Sequence, residues 1–256
     1  MNTAGTAIDE LIQVMDRLLG PQGCPWDREQ THESLIRYLI EESYEVIEAI
    51  NEKNRQKLKE ELGDLLLQVI FHAALAQREG CFDFSDVARS VSHKMVARHP
   101  HVFGEAKQLQ TGDEVMEVWD GFKRREGQQY LLGGIPTILP ALMRAEKIQE
   151  KAARVGFDWP NVNGALEKIQ EEIEELGRAE NATQVQEEWG DIFFALVNVA
   201  RLKNIEPEQA LQSSNDKFTR RFNFIEDSIK KVGKDFTDLS LEEMDVLWNV
   251  SKTKGL

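Results

Sequence analysis

Apolar residues recur along this chain at three- and four-residue spacing, the period of a helix with one buried face. Ile8, Leu11, Ile12, Met15, Leu18 and Leu19 form such a stripe and predict a helix over residues 7–19. The cluster Gly20-Pro21-Gln22-Gly23-Cys24-Pro25 stops it. The same period predicts helices from just after Thr31 to about residue 50 and over 58–77, the latter carrying the apolar run Leu65–Phe71. Asp83 and Asp86 offer a cap for a helix reaching Arg98, and His99-Pro100 with Gly104 ends it. Further helices are predicted near 113–126, 141–155, 165–178, 182–202, 208–232 and 241–251. The run Ile192–Ala200 is apolar almost throughout and reads as a segment lying inside a core. No stretch alternates in the manner of a half-buried strand, so the class expected is all-α.

A second regularity lies above the helical one. Glu42 and Glu45 reappear as Glu172 and Glu175, and Glu61 and Asp64 as Glu188 and Asp191. Lys94 and Arg98 reappear as Lys217 and Arg221, and Trp119 with Lys123 as Trp248 with Lys252. Two unrelated helical sequences would share leucines, not an ordered set of charges and a tryptophan. The pattern implies duplication of one helical unit. Residues 127–140, with Gly133-Gly134 and two prolines, read as the linker between an N-terminal unit, 1–126, and a C-terminal unit, 141–256.

Composition narrows the function. Lys and Arg total 31 against 45 Asp and Glu in 256 residues, a net charge of −14. Such a chain is not expected to grip nucleic acid directly through a basic surface. A small polyanion remains open to it if cations neutralise the site locally. Cys24 and Cys81 are too few for a disulfide scaffold or a cysteine metal site. The first ten residues lack a basic region followed by an apolar core, and no apolar run reaches 18 residues. A cytoplasmic protein without a membrane span is therefore expected.

The candidate chemistry lies in the duplicated charges. On helices, Glu172 and Glu175 share a face, as do Glu188 and Asp191, and the turn near Asn181 is short enough to make the two helices antiparallel neighbours. Four carboxylates then converge, which is costly without a cation among them. Oxygen donors without His or Cys suit a hard ion, Mg²⁺ with Mn²⁺ as a substitute. Lys217 and Arg221 lie four apart on one helix face beside Arg220, a pattern suited to phosphate oxygens but equally to ion pairs with Glu226 or Asp227. Lys168 stands one turn before Glu172 and can pair with it or reach a phosphate. Trp248 is a ring for a base or a core residue. Together these describe a nucleotide site.

The arrangement resembles the two-domain MazG family of nucleoside triphosphate pyrophosphohydrolases, within the all-α NTP pyrophosphatases. The resemblance rests on a doubled pattern: Glu41-Glu42-Ser43-Tyr44-Glu45 with Glu61-Leu62-Gly63-Asp64, and Glu171-Glu172-Ile173-Glu174-Glu175 with Glu188-Trp189-Gly190-Asp191. The segments Gly23–Asp27, Arg98–Phe103, Pro140–Ala145 and Val155–Trp159 are similar to that family as well. It implies hydrolysis of NTPs and dNTPs to the monophosphate and pyrophosphate, Mg²⁺ dependence, and a homodimer whose four-helix packing completes each site. Glu172, Glu175, Glu188 and Asp191 would hold metal, and Glu171 or Glu175 would take a proton from water. Lys168, Glu171, Glu187, Lys217, Arg221 and Trp248 would line the nucleotide. The C-terminal copy is the usual catalytic one. Tyr38 stands in the first copy where the second has Lys168, leaving open whether Glu42, Glu45, Glu61 and Asp64 bind metal.

Two other readings compete. A ferritin-like di-iron bundle needs Glu-x-x-His twice, and only Glu29 with His32 fits. A non-catalytic helical regulator would bind nucleotide without releasing pyrophosphate.

Overall fold

A computed structural model describes residues 4–104 and 130–256, together with Thr111 and Glu114. Among them there are helices and turns and no strand, so the all-α class holds. The helix expected over 113–126, with Trp119 and Lys123, lies outside the described residues apart from Glu114. The chain divides into two compact units, Met1–Phe122 and Lys123–Leu256.

In the first unit, α1 (Ala4–Leu19), α2 (Pro25–Glu29), α3 (His32–Asn51), α4 (Arg55–Arg78), α5 (Phe84–Arg98) and the single turn α6 (Pro100–Phe103) follow in order. The starts are fixed by side chains that satisfy otherwise orphaned amide groups. Thr31 and Ser34 bond each other's backbone in a capping box, Asn54 accepts from the Lys57 amide, and Asp83 pairs reciprocally with Asp86. Two short helices escape the periodic pattern, α2 and α6. Each begins on a proline, whose fixed φ suits a first turn and whose missing N–H goes unneeded there. Helices α3 and α4 form the central antiparallel pair, and α1 lies on α4. Met15, Leu19, Leu35, Ile70, Phe71, Ala74 and Leu75 make the core between them.

In the second unit, α7 (Ala141–Ala153), α8 (Val162–Leu176), α9 (Ala182–Leu202), α10 (Pro207–Lys231) and α11 (Leu241–Thr253) follow, with a 3₁₀ turn at Phe236–Asp238. Asn181 caps α9 by accepting from the Gln184 amide, and Ser240 with Glu243 boxes the start of α11. The pair α8–α9 repeats the α3–α4 pair, α7 packs on α9, and α10 packs on α11. Residues 130–140, the described part of the expected linker, form turns tied to α7. The Lys151 ammonium donates to the Leu131 and Gly133 carbonyls at 3.2 and 2.9 Å.

One expectation fails. Only part of the run Ile192–Ala200 is inside a core: Ile192, Ala195 and Val197 are buried, but Phe193 and Leu196 are 52% and 47% exposed. A helix turns one face to its own unit, and a run apolar on every face must leave the rest outside it. Val185, Trp189, Phe193 and Leu196, spaced by four, four and three, form a continuous exposed apolar stripe on α9. Ile36, Ile40, Tyr44 and Ile47 form a second exposed apolar stripe, on α3.

Candidate active site

The α8–α9 hairpin brings two carboxylate motifs to one place. Glu172 lies on the inner face of α8 with its side chain only 5% exposed. Glu188 and Asp191 project from the first half of α9. One oxygen from each of Glu172, Glu188 and Asp191 lies within 4.8 Å of the others. Glu175 is not a member of that close set, although its charge bears on Glu188. Desolvation first, then repulsion from Glu175 and Glu172 and a shared hydrogen bond with Glu172, then Asp191, hold the Glu188 carboxyl above the usual carboxylate range. Glu188 Oε2 is enclosed and has no hydrogen-bond partner among the described residues. Crowded oxygen donors with an unpartnered, enclosed oxygen are a donor set that could hold a hard cation.

Lys168 supplies part of the missing charge. Its Nζ lies 2.5 Å from Glu172 Oε1 and 2.9 Å from Glu171 Oε1. Glu172 first and Glu171 second hold the ammonium well above the ordinary lysine range. Of the alternatives open in the sequence, the structure gives the pairing with Glu172. Glu171 and Glu187 are exposed.

The cationic helix is placed differently. Lys217 and Arg220 are exposed on α10 and make no ion pair among the described residues, while Glu226 pairs with Lys230 instead, at 2.6 Å. Arg221 is drawn to the C-terminal helix: its Nε donates to the Leu256 carbonyl at 2.8 Å, and its guanidinium lies 5.4 Å from the Trp248 ring. Trp248 rests on Phe218, with ring centroids 5.1 Å apart. Thus Arg221 and Trp248 come together, and among the described residues neither has an ion pair or side-chain hydrogen bond with the carboxylates.

The first unit repeats the cluster with different neighbours. Oxygens of Glu42, Glu45 and Glu61 lie within 4.8 Å of one another, and Asp64 falls outside that set. Burial, then Asp64, Glu45, Glu61 and Glu41, raise the Glu42 carboxyl; burial, then Glu45, raise Glu61. Tyr38 packs edge-on against Trp26 and lies under the Arg37 guanidinium, so it brings no cation to the cluster. Lys57 is engaged by Glu48 and Glu52, at 2.5 and 3.3 Å.

The profile of the MazG nucleotide pyrophosphohydrolase domain matches residues 30–103 and 161–224, the two stretches that carry these clusters. The chain belongs to the MazG family. It is 44% identical over 255 residues to the nucleoside triphosphate pyrophosphohydrolase/pyrophosphatase MazG of Thermotoga maritima, covering 98% of each chain. It is 43% identical over 259 residues to the nucleoside triphosphate pyrophosphohydrolase of Escherichia coli K12, covering 97% of this chain and 98% of that one. The uncharacterized protein YabN of Bacillus subtilis is 48% identical over 246 residues, which are 93% of this chain and 50% of that protein. The MazG domain thus occurs twice in an all-α chain, in a family of hydrolases. No described helix is long and apolar enough to cross a membrane.

One feature of the second unit had no signal in the helical period. Arg201, near the end of α9, clasps Asp158 with both guanidinium nitrogens, one of them at 3.0 Å. Its partner belongs to Val155–Trp159, a segment whose only signal in the sequence was family likeness.

Proposed function

We propose that this MazG protein is a Mg²⁺-dependent hydrolase of nucleoside and deoxynucleoside triphosphates, producing the monophosphate and pyrophosphate in its C-terminal unit. The observation that carries this is the close set Glu172, Glu188 and Asp191 with the orphaned Glu188 oxygen. Glu172, Glu188 and Asp191, joined by Glu175, would hold Mg²⁺, for which Mn²⁺ is a chemical substitute. A bound Mg²⁺ supplies charge neutralisation of the triphosphate and a more acidic water. Exposed Glu171, or Glu175 when not used as a ligand, accepts that water's proton. Lys168 exchanges Glu172 for a substrate oxygen, and Lys217, Arg220 and Arg221 offset charge on the departing pyrophosphate. Glu187 and Trp248 line the nucleotide.

The protein acts as a cytoplasmic homodimer in this reading. Its support is the stripe Val185, Trp189, Phe193 and Leu196 on the catalytic hairpin, apolar surface that a helix of the partner would cover. The N-terminal unit is read as weak or inactive toward substrate, because Tyr38 leaves its carboxylates without the cation that Lys168 gives the other set. For that unit a nucleotide-binding regulatory role is the second reading.

The test is a panel of standard and modified NTPs and dNTPs with Mg²⁺, separating pyrophosphate from orthophosphate. Pyrophosphate release that vanishes in Glu172→Ala and Asp191→Ala is expected. Orthophosphate as the product, or full activity in either variant, overturns the assignment.

A further inference from the structure

In the first unit, two histidines hold the start of α3 to α4. His32 is the first residue of α3, and His72 lies in the second half of α4, which the antiparallel packing brings beside it. Their Nδ1 atoms are 2.8 Å apart, and the rings lie parallel, 1° between planes, with centroids 5.1 Å apart. Both side chains are half-buried, beside a core to which α3 gives Leu35 and α4 gives Phe71. The second unit lacks the pair. The offsets that carry Glu42 to Glu172 and Glu61 to Glu188 carry His32 to Val162 and His72 to Val199, and Val162 is likewise the first residue of its helix. Two valines have nothing to titrate.

The short contact fixes the protonation of both rings. One Nδ1 must carry a hydrogen and the other a lone pair, since two N–H groups at that distance repel and two lone pairs gain nothing. His72 Nε2 is enclosed and has no hydrogen-bond partner among the described residues. Were His32 the donor, the one hydrogen of a neutral His72 would sit on Nε2 as a buried N–H without an acceptor. Orphaned buried N–H groups are rarer than under-satisfied acceptors. The network therefore assigns His72 Nδ1–H as donor to His32 Nδ1, with His72 Nε2 bare. A proton added to either ring ends this arrangement. On His32 it turns the acceptor into a donor, and His72 can accept only by moving its own hydrogen to the enclosed Nε2. On His72 it goes to Nε2 directly. Burial, and then the charge of His32, hold the His72 imidazole below the ordinary histidine range. His32 is the one charge that bears on His72 among the described residues. From α1 this core receives Leu11, Ile12, Met15 and Leu19, and from α5 Phe84, none of which ionises. On α2, Arg28 donates to the Pro21 carbonyl at 3.0 Å. Glu33 of α3 meets the charge of His32 only after its bonds to its own backbone and to Thr31.

We propose that His32 and His72 form an acid-release latch on the first unit, closed while both rings are neutral and open once the pair takes up a proton. Opening frees the first turn of α3 and the two residues that join it to α2. Acid then loosens the first unit and spares the second, whose matching positions are Val162 and Val199. The latch is independent of the reaction proposed above. His72 binds protons less readily in the closed pair than in an open chain. Its contribution to the closed state is therefore fully present above the open-chain value, about pH 6.5, and is lost as pH falls below it. For one such histidine, opening becomes up to about tenfold more frequent between pH 7.5 and pH 5.5.

The test is amide hydrogen exchange of the full chain in EDTA, corrected for the intrinsic rate at each pH. Peptides over residues 25–36 report the latch, and peptides over 159–167 are the internal control. Exchange at 25–36 is expected to be about three- to tenfold faster at pH 5.5 than at pH 7.5, with 159–167 unchanged. In the double variant His32→Val with His72→Val, which copies the second unit, that acid dependence is expected to vanish. A second measurement needs no variant to fold: the imidazole Cε1–H resonance of His72 in wild type, assigned by triple-resonance NMR, is expected to titrate below the open-chain value of about 6.5. A smaller rise at 25–36, an equal rise at 159–167 or in the folded double variant, or a His72 resonance titrating at or above the open-chain value overturns the proposal.

Discussion

Replacing Lys168 by Met separates the charge balance of the carboxylate set from the chemistry performed on it. The ammonium sits 2.5 Å from Glu172 Oε1, and that carboxylate is 5% exposed. Breaking a fully buried pair by removing one partner costs about 3–5 kcal/mol, because the remaining charge is stranded. Lys168 itself is 37% exposed, so solvent screens its end of the pair, and its second contact, with the 57% exposed Glu171, adds little. The discounted loss is about 1–2 kcal/mol, or roughly 3–8 °C in the melting temperature of a unit of this size. With saturating Mg²⁺ the ion neutralises Glu172 and most of that gap closes. If, as proposed, the ammonium and Mg²⁺ compete for one oxygen of Glu172, the thermodynamic cycle requires the variant to bind Mg²⁺ about five- to thirtyfold more tightly. Denaturant unfolding in EDTA and in Mg²⁺, with calorimetric titration of the metal, measures all three corners. A variant as stable as wild type in EDTA, or one that loses the same amount with and without Mg²⁺, refutes this account of the pair.

Asp191→Ala is expected to lower kcat at least about a hundredfold with the helical circular dichroism spectrum unchanged, since it removes a ligand and not a packing contact. Glu42→Gln with Glu45→Gln is expected to leave pyrophosphate release within about threefold of wild type; a loss as large as that of Asp191→Ala would place turnover in both units. Phe193→Asp puts a charge into the exposed stripe of α9 and should convert a dimer to a monomer in sedimentation velocity, with turnover lost if the partner completes the site. The Arg201 guanidinium, and secondarily the Trp159 amide, hold the Asp158 carboxyl below its ordinary value although burial opposes this. A carboxyl lowered in the folded state contributes stability that is present above the unfolded value, about pH 4, and is lost as pH falls through the folded one. Asp158→Asn should therefore be less stable at pH 7 and show a shallower loss below about pH 4 in acid unfolding.

Much of this was legible because helices announce themselves twice, by period and by cap. Thr31, Asp83, Asn181 and Ser240 stand where a first turn needs an acceptor, and the apolar spacing behind them sets each buried face. The meeting of Glu172 with Glu188 and Asp191 followed from three-residue spacing and one short turn. What spacing could not give was depth. Nothing in a linear pattern says that Phe193 and Leu196 face away from their own unit while Ile192 and Val197 face in; that depends on where α7 and α8 lie. The partners of Arg221 were hidden in the same way, since Trp248 and the Leu256 carbonyl come from the end of the chain and are reached only when α11 folds back on α10. Gln149 carried no signal at all. An amide in the middle of α7 becomes a buried, half-satisfied group only when the α9 backbone passes beside it.

The two copies of the cluster make a comparison that a single site could not. Both gather three carboxylates with oxygens within 4.8 Å of one another, though not at matching positions, so both meet mutual repulsion. The C-terminal copy sets against it Lys168, a cation on a flexible stem one helical turn from Glu172, which the proposed reaction turns toward the substrate. The N-terminal copy has Tyr38 at that place, its ring against Trp26 and under Arg37, and burial with crowding raises the Glu42 and Glu61 carboxyls there as it raises Glu188 in the other copy. A proton is a neutraliser that must be released before a metal can bind, and it leaves nothing behind to meet a phosphate. In the proposed reaction an ammonium that leaves Glu172 to a metal then serves the phosphate. In the reading proposed above, the lysine of the C-terminal hairpin is the charge that lets that copy hold a triphosphate as well as a metal.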